Sequence, residues 1–356
     1  MESEKISEAT STESNDVAIE KFLKDLKEEK LKFSKEIACE TVKLLEKIIT
    51  NSHLETAKDI MELIKNVGKR LDESTNQATH TVVGNMVKRI LKIIRDEYST
   101  AMGKVDEYEQ QESLQKMLVA EEQLDFTKHL DSLKKSISAN LRELMEEFER
   151  SSQDIAAQSQ EHIHFGEVIL TFGHSRTVEK FLKKAVKRKC EVLVAEAFPS
   201  LGGHDLAKSL AESGIQTTLI QDAAIFALMS RVDKVIVGTH SVMANGGLKA
   251  LCGTHALALA ARHHSKPFIV LAPMFKLTPQ YVTSSDQEGF NHMRAPEELI
   301  PFDDSALFDG VEVINPAFDY VPPELITLMI SNMGGNAPSY VYRLLSEMYH
   351  PDDYSF

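Results

Sequence analysis

Two short stretches of the sequence combine glycine with small polar and basic side chains, a composition typical of anion-binding turns. One is Gly173-His174-Ser175-Arg176 and the other is Ala244-Asn245-Gly246-Gly247. Free backbone N–H groups at a helix start or in a glycine turn can hold a phosphate. One reading is therefore a vestigial anion cradle, with these members: His174, Ser175, Arg176, Asn245, Gly246 and Gly247. The spacing alone favours the alternative, two tight turns between strands and helices. Neither stretch matches a nucleotide-binding fingerprint.

Other side chains give little support for catalysis or for metal binding. The 13 histidines fit no zinc-ligand spacing, and the three cysteines (Cys39, Cys190 and Cys252) are scattered. Asp222 follows an expected strand, where it could act as a general base or cap a helix, and we favour the cap. No nucleophile–base pair can be assembled around it. We therefore predict no catalytic residue, no metal and no cofactor.

The elements that position these turns are predicted from residue 166 onward, where short apolar runs alternate with helical stretches. The expected strands are Val168–Phe172, Val192–Glu196, Thr217–Ile220, Lys234–Val237, Phe268–Ala272 and Val311–Ile314. Parallel strands need crossovers of the length that separates most of these runs. The pattern predicts an α/β doubly wound, Rossmann-like parallel-sheet domain over residues 166–356, with any ligand at the carboxyl ends of the strands.

The first half of the chain has helical spacing. Apolar residues recur at intervals of three and four, as in Val83, Met86, Val87, Ile90 and Leu91, and the first 198 residues contain no proline. We therefore expect an N-terminal all-α helical domain over residues 17–165. Residues 1–16 are polar and are expected to form a disordered lead.

The overall charge restricts the classes of partner. Lys and Arg number 40 against 54 Asp and Glu, which gives a net charge of −14 and disfavours nucleic acid as a partner. No run approaches the length of a membrane span, so no membrane association is expected. The opening residues lack the basic and apolar regions of a secretory signal, and we expect the protein in the cytosol.

Several stretches taken together resemble a known family. The similarity lies in Ile169-Leu170-Thr171, in residues 218–224, 235–238, 245–246 and 315–319, and in the run Asp319-Tyr320-Val321-Pro322-Pro323-Glu324. Further matches lie at residues 81–87, 332–340 and 349–353. They are similar to the regulatory alpha, beta and delta subunits of eukaryotic translation initiation factor 2B. They are also similar to the methylthioribose-1-phosphate and ribose-1,5-bisphosphate isomerases.

The resemblance implies that the isomerase chemistry is missing. The isomerases carry a catalytic cysteine in a Thr-His-Cys turn, where this chain has Thr171-Phe172-Gly173. They carry a catalytic aspartate in a Gly-Ala-Asp turn, where this chain has Gly238-Thr239-His240. Because aldose–ketose isomerisation needs an acid/base pair at that place, we expect no isomerase activity.

What the resemblance implies instead is a non-catalytic regulatory subunit of the guanine nucleotide exchange factor for initiation factor 2. The implied partners are the alpha, delta, gamma and epsilon subunits of initiation factor 2B, with exchange carried by epsilon. The helical half would help to bind the alpha subunit of initiation factor 2 and sense its phosphorylation. The alternatives are a sugar-phosphate-binding sensor and a ribose-phosphate isomerase.

Two groups of residues are candidates for subunit contacts. The apolar residues near the C-terminus exceed what one domain edge needs, and we select Tyr320, Pro322, Pro323 and Tyr340 from that region. By resemblance, Gly166, Val168 and Glu191 lie at a junction between regulatory subunits, where a synthetic activator binds in this family.

Overall fold

The computed structural model describes residues 2–28, 30–31, 33–52, 54, 56–74, 81–102, 126–129, 132–281, 290–301 and 310–354, with side chains from residue 15 onward. Its contacts divide the chain into two compact units. The helical unit comprises Met1–Glu149 and Arg343–Phe356, and the α/β unit comprises Arg150–Tyr342. The sequence analysis predicted that the α/β domain begins at residue 166 and includes the C-terminus. The division in the structure differs from this prediction at both places.

The helical unit contains long amphipathic helices. They are α1 (Glu2–Lys27), α2 (Ser34–Asn51), α3 (Ala57–Ser74), α4 (Thr81–Ala101) and α5 (Leu133–Ala157), the last of which continues into the α/β unit. In α4 the residues Val83, Met86, Val87, Ile90 and Leu91 are at most 2% exposed. Their spacing of three and four residues puts them on one face, which explains why this sequence forms a core helix.

The N-terminal lead differs from the sequence-based expectation. Residues 2–16, expected to be disordered, lie in α1. This stretch contains glutamate, lysine and alanine and neither glycine nor proline, so a helix can extend through it without an apolar stripe.

The C-terminal segment joins the helical unit through charged side chains on α3 and α4. The carboxylate of Asp353 is fully buried, and Arg95 Nε (2.9 Å), Arg95 Nη2 (3.1 Å) and Lys65 Nζ (2.8 Å) contact it. Burial opposes its ionisation, but the hydrogen bonds from Arg95 and Lys65 lower the pKa of Asp353. Lys92 Nζ donates to the carbonyl oxygen of Glu347 at 2.7 Å. These contacts explain why the segment does not belong to the sheet domain.

The α/β unit is built on a seven-stranded sheet of order β10-β9-β7-β4-β1-β2-β3. Its strands are β1 (Val168–Phe172), β2 (Glu191–Ala195), β3 (Gln216–Ile220), β4 (Lys234–Gly238), β7 (Phe268–Leu271), β9 (Leu328–Ser331) and β10 (Gly334–Asn336). All neighbours are parallel except β9 and β10. The predicted α/β fold class is therefore confirmed, with five strands found within one residue of their expected ends.

Helices precede, connect and follow the strands. They are α6 (Ser159–His162), α7 (Arg176–Lys184), α8 (Gly202–Glu212), α9 (Ile225–Leu228), α10 (Thr254–His263) and α11 (Val341–Met348), the last of which continues into the helical unit. Buried residues of β1, β2, α7 and α8, including Ile169, Val192, Phe181 and Leu206, form one core cluster. Within the described ranges, each helix is too short or too polar to span a bilayer.

A small antiparallel sheet was not expected from the sequence. Its strands are β5 (Ser241–Val242), β6 (Leu248–Leu251) and β8 (Phe318–Val321), in the order β5-β6-β8. The expected strand Val311–Ile314 is wrong, since these residues are irregular and Val311 and Ile314 are 55% and 61% exposed. The parallel position beside β7 belongs to β9. The run resembled a strand in composition but has no partner strand in the described structure.

Candidate functional site at the carboxyl ends of β1 and β4

The strand order of the large sheet reverses between β1 and β4. After β1 the chain adds β2 and β3 on one side, and it returns to place β4 on the other side. In a doubly wound sheet this reversal opens a crevice at the carboxyl ends of the strands. We call the residues there the switch-point site, and its members are Gly173, Ser175, Gly238, His240, Leu251 and Gly253.

Gly173, directly after β1, is held in a conformation that disfavours a side chain. Its φ is +63°, in the left-handed region. A Cβ at this position would lie 3.0 Å from Leu251 Cδ2 and 3.3 Å from the Cβ of Ala197. The space that a catalytic side chain would need is therefore lined by two apolar neighbours.

The side chain of His240, which follows β4, packs against a neighbouring aromatic ring. Its ring lies 4.6 Å from the ring of Phe318, centroid to centroid, and its backbone N–H donates to the carbonyl of Lys249 at 3.0 Å. Phe318 belongs to a small apolar cluster with Met243, Phe290 and Ala317. His240 therefore contributes to the packing between the end of β4 and the small antiparallel sheet.

The start of α10 is a possible anion site that the protein fills with its own carboxylate. Asp319 Oδ2 accepts hydrogen bonds from the backbone N–H groups of Gly253 (2.7 Å) and His255 (3.2 Å). Gly253 has a φ of +99°, and a Cβ there would lie 2.7 Å from Cζ of Phe172. Because helix-start amides are the donors that bind phosphate, Asp319 occupies positions that an anion would need. No sequence pattern predicted this role of Asp319.

The second half of the expected anion cradle has no available amides. The N–H of Gly246 donates to Met243 O at 2.9 Å, and the N–H of Gly247 donates to Asn245 Oδ1 at 2.9 Å. Asn245 Nδ2 in turn donates to the hydroxyl of Tyr320 at 2.6 Å. The expected cradle therefore loses Asn245, Gly246 and Gly247, because their polar groups are bonded within the turn and to β8.

The first half of the expected cradle lies at the start of α7. Ser175 is at the N-cap position, as expected, but its side chain makes no capping hydrogen bond, and a Cβ on Gly238 would meet its Oγ at 2.6 Å. Arg176 is exposed. His174 Nε2 lies 3.3 Å from Glu179 Oε2. Burial opposes the ionisation of Glu179, but hydrogen bonds from Lys183, Ser209 and His174 lower its pKa to about 2.

Asp222 has a structural role different from both expectations. Its Oδ1 accepts from the N–H of Ala197 at 3.0 Å, and its Oδ2 accepts from the N–H of Phe198 at 2.8 Å. It therefore fixes the loop after β2 and does not cap the short helical turn Asp222–Ala224, whose N-cap is Gln221. Both carboxylate oxygens of Asp222 are therefore engaged by backbone amides of the loop after β2.

Comparison with known proteins identifies the family. A model described as the initiation factor 2 subunit family matches residues 30–338. The chain belongs to the initiation factor 2 subunit family. The translation initiation factor eIF2B subunit beta of Dictyostelium discoideum is 38% identical over 374 residues, which cover 94% of this chain and 95% of that protein. The predicted resemblance is therefore confirmed.

Two further comparisons match a solved structure and an enzyme. The crystal structure of a tetrameric eIF2B-beta2-delta2 complex from C. thermophilum contains a chain with a TM-score of 0.71 and 23% identity, covering 96% of this chain and 98% of that one. A ribose 1,5-bisphosphate isomerase of Archaeoglobus fulgidus is 31% identical over 223 residues, which cover 61% of this chain and 69% of the isomerase.

Two lysines beside the site have pKa values below the usual range for lysine. Lys249 is 3% exposed, and its Nζ lies 5.0 Å and 4.9 Å from the ring centroids of Phe290 and Phe318. Lys276 Nζ donates to the carbonyl of Thr239 at 2.7 Å. Burial lowers the pKa of each to about 8. Sequence reasoning missed both, because neither Lys249 in a short strand nor Lys276 in the helical turn Met274–Lys276 belongs to a recognisable motif.

The expected subunit contacts fall into two groups on the α/β unit. Gly166 is exposed, and Val168 and Glu191 are partly exposed and paired in register at the starts of β1 and β2. In the other group, Tyr320 packs edge-on against Phe290 and is only partly exposed, like Pro322 and Pro323, whereas Tyr340 is 36% exposed. Their role as interface residues stays a prediction. Among the described residues, no group of histidine, cysteine, aspartate and glutamate has the arrangement of a metal site.

Proposed function

We propose that this chain is a non-catalytic regulatory subunit of the guanine nucleotide exchange factor for initiation factor 2, working in the cytosol. It assembles with the alpha, delta, gamma and epsilon subunits of initiation factor 2B, and epsilon carries the exchange reaction. It helps to bind the alpha subunit of initiation factor 2 and to sense its phosphorylation.

The observation that carries the proposal is the closed switch-point site. Gly173 offers no side chain, and its neighbours Leu251 and Ala197 leave little room for one. His240 lies against Phe318, and the amides at the start of α10 bind Asp319. An isomerase needs an acid/base pair and a place for the sugar phosphate. The arrangement supports a fold retained for assembly.

Similarity over almost the whole length supports the subunit role. The Dictyostelium relative, named an eIF2B beta subunit, is covered to 95%, so both units of this chain have counterparts in it. The C. thermophilum structure contains such subunits in a complex of beta and delta chains. We infer the same mode of use here, with the α/β unit contacting paralogous subunits.

Recognition of initiation factor 2 is assigned to the helical unit. The resemblance implies that the helical halves of the regulatory subunits contact the alpha subunit of initiation factor 2, and this implication motivates the assignment. The outer face of α3 exposes charged residues, among them Lys58, Glu62 and Lys69. Exposed charges of both signs suit a contact that must respond to a phosphate group on the partner.

The test of assembly is co-expression of this chain with the four other subunits, followed by native mass measurement. The proposal expects the chain in one complex with them. The control omits the delta subunit and should lose most of the assembly. Recovery of this chain alone, with the other four subunits assembled without it, would overturn the proposal.

The test against the enzyme alternative is turnover of ribose 1,5-bisphosphate by the purified chain. We expect no ribulose product from the wild type or from Gly173→Cys, because the left-handed backbone and the packed His240 remain in the variant. An active isomerase relative serves as the positive control. Product formation by the wild-type chain would establish the isomerase function instead.

A further inference from the structure

A dense basic segment begins beside the switch-point site and runs along α7 to the opposite end of the sheet, where β2 begins. Between Arg176 and Lys189 the chain has seven lysines and arginines and one acidic residue, although its overall net charge is −14. The segment comprises α7 and the short helical turn Val186–Arg188, which leads into β2. The local charge is therefore opposite in sign to that of the whole chain.

Only some of these basic side chains make contacts within the chain. Lys183 Nζ contacts Glu179 Oε1 at 2.8 Å and Ser209 Oγ at 2.7 Å, and Arg188 Nη2 donates to the carbonyl of Gln160 at 2.8 Å. Lys180, Lys184, Lys187 and Lys189 are exposed, and within the described part of the chain none of them makes an ion pair. The free charges therefore face solvent.

Helix stability accounts for the presence of one of these lysines but not for that of the others. Lys184 is in the last turn of α7, where the negative end of the helix dipole favours a cation. Lys187 and Lys189 lie beyond the helix, and Lys180 is a like-charge neighbour of Lys184 at the unfavourable i, i+4 spacing. Lys189 also has a φ of +50°, a conformation that glycine or asparagine adopts more easily.

An exposed aromatic ring borders the lysines. Phe165 is 70% exposed, and the N–H of its neighbour Gly166 donates to the carbonyl of Arg188 at 3.0 Å. This bond holds Phe165 beside the basic segment at the start of β1. An exposed aromatic residue next to cationic side chains is a combination enriched at protein–protein interfaces. We call Phe165, Lys184, Lys187 and Lys189 the basic surface.

We propose that the basic surface binds an acidic surface of a neighbouring protein subunit in the assembly. The inference rests on the proposed function and adds the chemistry of one contact. Phe165 would be buried against apolar side chains of the partner, and the three lysines would pair with its carboxylates. A nucleic acid is the weaker fit, because the rest of this acidic chain repels phosphates and the surface is short.

The primary experiment is lysine acetylation of the full chain, alone and within the complex of all five subunits. We expect the reactivity of Lys184, Lys187 and Lys189 to fall at least about tenfold on assembly, as for lysines buried in ion pairs. Lys208, an exposed lysine of α8 outside the surface, is the internal reference. Carbodiimide coupling should then join these lysines to aspartates or glutamates of one partner subunit.

A charge-matched pair of variants provides the second arm. The triple change K184E, K187E and K189E should weaken assembly about 100-fold at low salt and less at high salt, because screening removes surface attraction and repulsion. The control triple change K208E, R231E and R262E alters the same net charge at exposed positions and should have little effect.

The outcomes separate the two proposals. Complex formation with unchanged reactivity of the three lysines, or equal weakening by both triple variants, would overturn this inference and leave the subunit role intact. Protection that ribonuclease removes would replace the protein partner with RNA and would also overturn it. Failure of any complex to form would overturn both proposals.

Discussion

The two ends of the large sheet differ in how their polar and aromatic groups are used. At the carboxyl end, Phe172 packs where Gly253 has no side chain, and Asp319 takes the amides at the start of α10. At the amino end, Phe165 is 70% exposed and Lys184 makes no ion pair within the described residues. The named groups at the carboxyl end, where folds of this kind bind ligands, contact one another, whereas the named groups at the amino end are exposed to solvent.

The largest expected effect compares two left-handed glycines, one at each end. Gly253→Ala should lower the free energy of unfolding by about 3 kcal/mol, since a left-handed alanine costs about 1 kcal/mol and overpacking against the Phe172 ring adds about 2 kcal/mol. Gly166→Ala should cost only about 1 kcal/mol, because nothing lies within 4 Å of a Cβ there. Urea unfolding of the α/β unit measures both. Equal losses would contradict the packed carboxyl end.

A smaller effect is expected at the carboxylates that accept backbone N–H groups. Asp319→Ala should cost about 1–2 kcal/mol, because it leaves the helix-start amides of Gly253 and His255 without their acceptor. Asp233→Ala removes one exposed acceptor, for the N–H of Val168, and should cost under about 1 kcal/mol.

The same pair of variants tests whether the carboxylate of Asp319 occupies an anion site. Inorganic phosphate should raise the midpoint temperature of the Asp319→Ala variant and leave the wild type and Asp233→Ala unchanged, because freed helix-start amides bind anions. An identical response of all three proteins would show that Asp319 does not occupy an anion site.

The last comparison concerns the dependence of stability on pH. Burial lowers the pKa of Lys249 from 10.5 to about 8 in the folded protein. Between these pH values the unfolded chain binds more protons, so the free energy of unfolding rises with pH, by at most about 1.4 kcal/mol per pH unit for one group. Lys249→Met should flatten the rise between pH 8 and 9.5. Lys184→Met, at the exposed amino end, should leave it unchanged; equal slopes in all three proteins would contradict the burial of Lys249.

Local sequence patterns predicted the strands that are buried on both faces. Val168–Phe172 and Lys234–Val237 are continuous apolar runs, and such runs form the centre of a parallel sheet. Val311–Ile314 has a similar composition but is exposed, and composition alone does not reveal whether a partner strand exists. The strand Leu328–Ser331 was missed because it follows closely on two prolines and lacks β-branched residues apart from Ile330.

The candidate site was predicted in position but not in its contacts. The strand pattern and the resemblance located Gly173 and His240 correctly at the carboxyl ends of β1 and β4. The occupation of the α10 amides depends on Asp319, which is far from Gly253 in sequence and is brought there by the pairing of β6 with β8. Contacts between distant residues of this kind have no local signal in a single sequence.

The central claim is that the carboxyl end of the sheet no longer accepts a sugar phosphate. Calorimetric titration of the wild-type chain with ribose 1,5-bisphosphate tests it most directly, with an active isomerase relative as the positive control. The closed switch-point site predicts no saturable heat of binding. A saturable one-to-one isotherm that is lost in Gly253→Leu would contradict the account.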